Sequence, residues 1–178
     1  AAMALHAELE HTPWPLAYHR QIAGEAYFAA GLRNRDFANA IAAFESVLRI
    51  DRSFVPACTE LAKVTMEQGD LPATRRWLAR AEQLAPAHPF LDYVRSEYRR
   101  RLDQSCSELR DRAVAALEAA RWDDALEGAA QWQVLDEASG TPAFLRALAL
   151  HGRGDAERAR LAVLESLEQG GDDFDRSK

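Results

Sequence analysis

Five histidines, two cysteines and 28 acidic residues are the side chains through which this 178-residue chain could do chemistry. His6, His11, His19, His88 and His151 are scattered. None stands in the HExxH or facial-triad spacing that brings ligands to one metal, so no metal site is expected. Cys58 and Cys106 lie far apart with no CxxC and no matching histidine spacing. They read as two small buried hydrophobes, not a disulfide framework or a zinc site. There is no GxSxG and no Walker-type phosphate loop. Gly152-Arg153-Gly154 superficially resembles a glycine-rich loop, but a turn between helices explains it better. Asp123-Asp124 suits a helix start, where negative charge complements the helix dipole. Asp172-Asp173-Phe174-Asp175 follows Gly170-Gly171 in a polar tail (171–178) and reads as a disordered terminus or linker. No catalytic residue and no cofactor is expected, and the chain is read as a non-enzyme.

Charge narrows the partners. The formal net charge is −6, which repels a phosphate backbone and argues against nucleic acid. Of 22 basic residues only Lys63 and Lys178 are lysines, an arginine bias that points to a GC-rich, bacterial genome. Arg95, Arg99 and Arg100, with Arg101, form a basic helical face close in sequence to Arg75, Arg76 and Arg80. The plainer reading is a solvated face partnered by Glu97 and Asp103. The sharper one is a docking patch for an acidic peptide or a lipid headgroup. No apolar run approaches the ~18 residues that a membrane helix requires, and no signal-peptide pattern opens the chain. The compartment stays open, with the cytoplasm favoured over the periplasm.

The elements that would position these residues are helical. Hydrophobic residues make up 48%, against 9 glycines and 7 prolines, and alanine and leucine dominate. Alternating strand patterns are hard to find, so the class is all-α. The clearest unit runs from Val55 to His88. Pro56 suits a first helical turn, and Cys58, Leu61, Ala62, Thr65 and Met66 follow at the spacing of one helical face. Gly69-Asp70-Leu71 breaks that helix and starts another. Thr74, Trp77, Leu78 and Ala81 continue the apolar stripe until Ala85-Pro86.

This pattern resembles a tetratricopeptide repeat, through Ala62, Gly69-Asp70-Leu71, Ala81 and Pro86. Thr74 stands where alanine is usual and Leu78 where an aromatic is usual. Asp36-Phe37, Ala40, Phe44 and Val47 recur one family period upstream of Asp70-Leu71, Thr74, Leu78 and Ala81. The helix before them, with Gly24 and Tyr27, carries about four residues too many and reads as one turn longer than usual. A third hairpin, 106–139, has Trp122 and Ala125 in the aromatic and small slots. A fourth, 140–170, has Gly154-Asp155 at its turn and Arg146 where an apolar residue is expected. The resemblance implies a right-handed superhelix of about four antiparallel hairpins (18–52, 55–88, 106–139 and 140–170).

Residues 87–105 break the period by roughly nineteen residues. Phe90, Tyr93, Val94, Tyr98 and Leu102 make an apolar helical face that Cys106, Leu109, Ala113 and Leu117 extend. One long or kinked helix from Pro89 to about Ala120, ~50 Å in length, is favoured over a fresh start at Ser105. The alternative stays open because Ser105 with Glu108 is a capping-box pattern. At the other end, residues 1–17 hold a short helix over Ala4–Glu10, closed by Thr12-Pro13-Trp14-Pro15 and read as a cap on the array.

The resemblance implies a scaffold or adaptor that holds a peptide or helix of a partner protein on its concave face, lined by the first helix of each hairpin. The candidate surface is Gln21, Glu25 and Phe28, then Thr59, Lys63 and Met66, then Arg110, Val114 and Leu117, then Phe144, Leu148 and His151. Family members that clamp acidic chaperone C-termini use lysine, asparagine and arginine. Gln21, Glu25, Thr59 and Lys63 offer one suitable cation and no asparagine, so that ligand is not expected. The apolar members suggest an amphipathic segment instead. The alternative is a module cut from a larger enzyme or secretion component with its chemistry elsewhere. Open repeat ends would also allow a homodimer.

Overall fold

A computed structural model describes residues 16–34 and 36–169. The helix expected over Ala4–Glu10 and the tail 171–178 lie outside the described residues. Within them the chain is all-α, with no strand: α1 (Leu16–Asn34), α2 (Ala38–Ile50), α3 (Val55–Gln68), α4 (Leu71–Leu84), α5 (Pro89–Glu118), α6 (Trp122–Leu135), α7 (Thr141–Gly152) and α8 (Ala156–Gln169). Pro56, Pro72 and Pro142 each sit in the first turn of a helix, where no amide partner is lost. Two compact units divide at Arg99 and Arg100, inside α5.

Three turns between paired helices share one geometry. Gly69, Ala120 and Gly154 all have left-handed backbone, at φ 81°, 53° and 88°. The next amide in each case reaches back to close the preceding helix: Asp70 N–H to Thr65 O at 2.9 Å, Arg121 N–H to Ala116 O at 2.8 Å, Asp155 N–H to Leu150 O at 2.9 Å. This is the Schellman closure, which satisfies carbonyls that a helix end leaves open. Ala120 and Gly154 stand one family period apart. Gly69 and Ala120 are separated by seventeen positions more than that, so the insert is slightly shorter than the expected nineteen.

In the first unit α1 packs on α2, α2 on α3 and α3 on α4. Its core holds Phe44, Val47, Leu61, Val64, Thr74, Leu91 and Val94. Gly24 lets α1 approach α2: a Cβ there would lie 2.5 Å from Phe44 Cε1, inside van der Waals contact. Thr74, the departure from alanine, has a reason in the opposite helix. Its hydroxyl lies 3.0 Å from that of Thr65 and donates to Asp70 O at 2.9 Å, so neither buried hydroxyl is orphaned. The longer first helix is present, with 19 residues in α1 against 14 in α3. Their last residues, Asn34 and Gln68, are one period apart, so the surplus lies at the N-terminal end of α1.

In the second unit α7 packs on α6 and on α8. Small residues let these helices approach: Ala113, Ala129, Trp132 and Leu145 form one cluster, Ala147, Leu150, Ala159 and Ala162 a second. Trp122, in the aromatic slot, lies against Gly152, where a Cβ would be 2.6 Å from Cζ3. Arg146 is half-buried and forms an ion pair with Glu165 on α8, which accounts for a charge in an otherwise apolar position.

α5 is a single 30-residue helix. Ser105 and Glu108 lie in its interior, and Glu108 accepts from Gln104 Nε2 at 3.0 Å instead of capping a new helix. The inward stripe is Leu91 and Val94, followed by half-buried Tyr98, Leu102, Cys106 and Leu109. Residues three or four apart keep this stripe unbroken, and no glycine or proline interrupts it. The expected face is corrected at its start: Phe90 and Tyr93 point outward, 66% and 65% exposed.

Candidate functional site

The first-helix positions divide by burial. In the first unit Gln21, Thr59 and Met66 are buried and cannot meet a ligand directly. Thr59 turns its hydroxyl into its own helix, donating to Pro56 O at 2.8 Å, and Gln21 donates to Glu25 Oε1 at 3.0 Å. For Gln21 the correction follows from the helix ends. With Asn34 and Gln68 in period, Glu25, Ala29 and Leu32 correspond to Thr59, Lys63 and Met66, four positions later than sequence spacing suggested. The exposed stripe of α1 is Tyr18, Ile22, Glu25, Ala29 and Leu32, although Thr59 and Met66, the counterparts of Glu25 and Leu32, are buried.

Glu25 remains exposed and Phe28 is half-buried, its ring centroid 6.1 Å from that of Phe37. Lys63 is not a free cation. Its Nζ lies 2.6 Å from Glu60 Oε1 and 5.9 Å from the Phe28 centroid, so its charge is met within the fold.

In the second unit the expected surface is accessible. Arg110 and Val114 on α5, and Phe144, Leu148 and His151 on α7, are all exposed, while Leu117 is half-buried against the core. Arg110 pairs with Asp111 at 3.1 Å and donates to Ser107 Oγ at 3.1 Å. Arg110, Val114 and Leu117 stand one period before Phe144, Leu148 and His151, position for position. In that register only Val114 and Leu148 are apolar and exposed in both helices, whereas Arg110 matches Phe144 and Leu117 matches His151.

The basic face on α5 is reduced. Arg95 Nε is 2.5 Å from Glu82 Oε1, and its Nη1 is 2.8 Å from Asp92 Oδ1. The Glu82 hydrogen bond raises the pKa of this guanidinium. Arg99 and Arg100 are exposed. A different cluster forms on α2, the loop after it and α4, where Glu45, Leu48, Arg49, Arg52, Trp77 and Arg80 line a cavity of about 430 Å³. No spacing along the chain shows it, because Arg52 and Arg80 belong to different hairpins and only the fold brings them together. Arg80 Nη2 donates to Arg52 O at 2.9 Å.

Neither thiol is poised as a nucleophile. Burial pushes the Cys58 thiol above its ordinary value, partly opposed by the charge of Arg80. Burial first, then Asp136 and Asp103, push up Cys106, with Trp132 opposing. Both stay protonated near neutral pH. His19 and His88 are half-buried and His151 is exposed, while His6 and His11 lie outside the described residues. Among the described residues no three His, Cys, Asp or Glu side chains gather to hold a metal ion. No described helix is long and apolar enough to cross a membrane.

No family model matches the chain, and no curated protein matches it either. Among solved structures, a MamA RS-1 ArsTM double mutant aligns with a TM-score of 0.36 at 14% identity, covering 84% of this chain and 75% of that one.

Proposed function

We propose that the chain is a tetratricopeptide-type helical repeat without catalytic activity, which binds a peptide or helix of another protein on the first-helix face of its hairpins. The observation that carries the reading is the exposed apolar group of Val114 on α5 with Phe144 and Leu148 on α7, the first and last of them in one register. Val114, Phe144 and Leu148 are each more than a third exposed, although a folded chain gains by burying such groups. Arg110 and His151 flank them and would fix the register of a bound segment. Apolar anchors at three- and four-residue spacing suit an amphipathic helix laid along the surface. The net charge of −6 supports a protein partner over nucleic acid.

The test is affinity capture with mass spectrometry, comparing wild type with a Val114→Glu, Leu148→Glu double variant whose fold is checked by circular dichroism. Partners retained by wild type should be lost from the folded variant. An unchanged set of partners would refute the proposed surface.

A further inference from the structure

Apart from the first-helix positions above, an arginine cluster lies on the second helices of the first two hairpins, α2 (Arg49) and α4 (Arg76 and Arg80), and on the loop after α2 (Arg52). Two cavities of about 430 Å³ each adjoin there and share Glu45, Trp77 and Arg80. The first adds Leu48, Arg49 and Arg52; the second adds Arg76 and the turn around Asp70. Each lies within the ~300–1,000 Å³ typical of ligand pockets. On a chain of net charge −6, four guanidinium groups converge on this one site. Among the described residues Arg49, Arg52 and Arg76 have no carboxylate within ion-pair distance, in contrast to Arg95, Arg121, Arg146 and Arg153. The three unpaired guanidinium groups outnumber Glu45, the one carboxylate that both cavities share, so their mutual repulsion is not cancelled there.

We propose that this cavity binds an acidic peptide segment carrying an aromatic side chain, its carboxylates on Arg49, Arg52 and Arg76 and its ring against Trp77.

Arg80 is already fixed: it donates to Arg52 O at 2.9 Å, and its guanidinium lies 5.8 Å from the Trp77 ring centroid. It holds Trp77 and the α2–α3 loop in place for a ligand, which lowers the ordering cost of binding. Trp77 is half-buried and Leu48 is buried, so the floor is apolar while the rim is cationic. Glu45, the shared carboxylate, selects among anions. It repels a dense polyanion such as a phosphate backbone, yet it can accept a backbone N–H from a peptide. A chain that alternates carboxylates with an apolar ring satisfies both sets of groups.

The probe is fluorescein-labelled acetyl-Asp-Glu-Phe-Asp-Glu-amide, followed by fluorescence anisotropy with the full chain. Arg49→Glu and Arg76→Glu are suitable variants because both side chains are exposed and hold nothing else in the fold. Saturable binding is expected, weakened about ten-fold by either variant, as for loss of a charged hydrogen bond. Raising salt from about 50 to about 500 mM should weaken it further, and the Asn-Gln-Phe-Asn-Gln counterpart should not bind. Leu148→Glu should leave this binding intact, which separates the site from the first-helix face. Absence of saturable binding up to about 1 mM peptide would overturn the proposal, as would binding indifferent to both arginine variants. So would binding confined to vesicles containing anionic phospholipid.

Discussion

Ala120 holds a methyl group in the left-handed conformation that Gly69 and Gly154 adopt at the equivalent turns. An L-residue there costs roughly 1–2 kcal/mol, against which glycine costs about 0.4–1 kcal/mol of unfolded-state entropy. Ala120→Gly should therefore stabilise the chain by about 0.5–1 kcal/mol, and Gly69→Ala should destabilise it by a similar amount. Urea denaturation with unchanged slope checks both. Destabilisation by Ala120→Gly would mean that the third turn does not close as the other two do. The glycines of this motif stand out in the sequence, whereas the alanine does not, because its conformation is imposed by the helices on either side. Thr74 teaches the same lesson. Read along the chain it is a small departure from alanine, and its partner Thr65 becomes evident only when α3 and α4 are side by side.

At the scale of elements, α5 sets two local signals against each other. The Ser105–Glu108 pattern marks a helix start, while the apolar stripe through Cys106 and Leu109 continues without a break. The stripe prevails, since inserting a helix end would leave backbone groups open for the sake of one cap. Cys106→Pro distinguishes the outcomes. Proline is tolerated at the first position of a new helix, but inside a continuous one it costs about 3 kcal/mol. Relative to Cys106→Ala, a loss of about that size is expected in urea denaturation, together with reduced helical circular dichroism. Equal stability of the two variants would indicate two helices. In α1 the extra turn was legible from the spacing of Gly24 and Tyr27 to Asp36. Which end carried it was not, since period alone does not say where a longer helix protrudes. That ambiguity displaced Gln21 and Phe28 from the outward stripe.

At the scale of the molecule, the all-helical class, the hairpin turns and the long central helix follow from periodicity, because amphipathic spacing and turn residues act locally. The accessible stripe of the second unit was legible for the same reason: Arg110 to Leu117 and Phe144 to His151 share one register. What sequence could not show depends on distant packing. The burial of Thr59 and Met66 and the pairing of Arg95 with Glu82 are such cases, as is the convergence of Arg49 and Arg52 with Arg80. A photoreactive residue placed at Leu148 in living cells, with Arg160 as an exposed reference on α8, tests the proposed binding face most directly. A covalent adduct with a partner protein from position 148 and none from position 160 is the expected result. Equal adducts from both positions, or an adduct from position 160 alone, would contradict it.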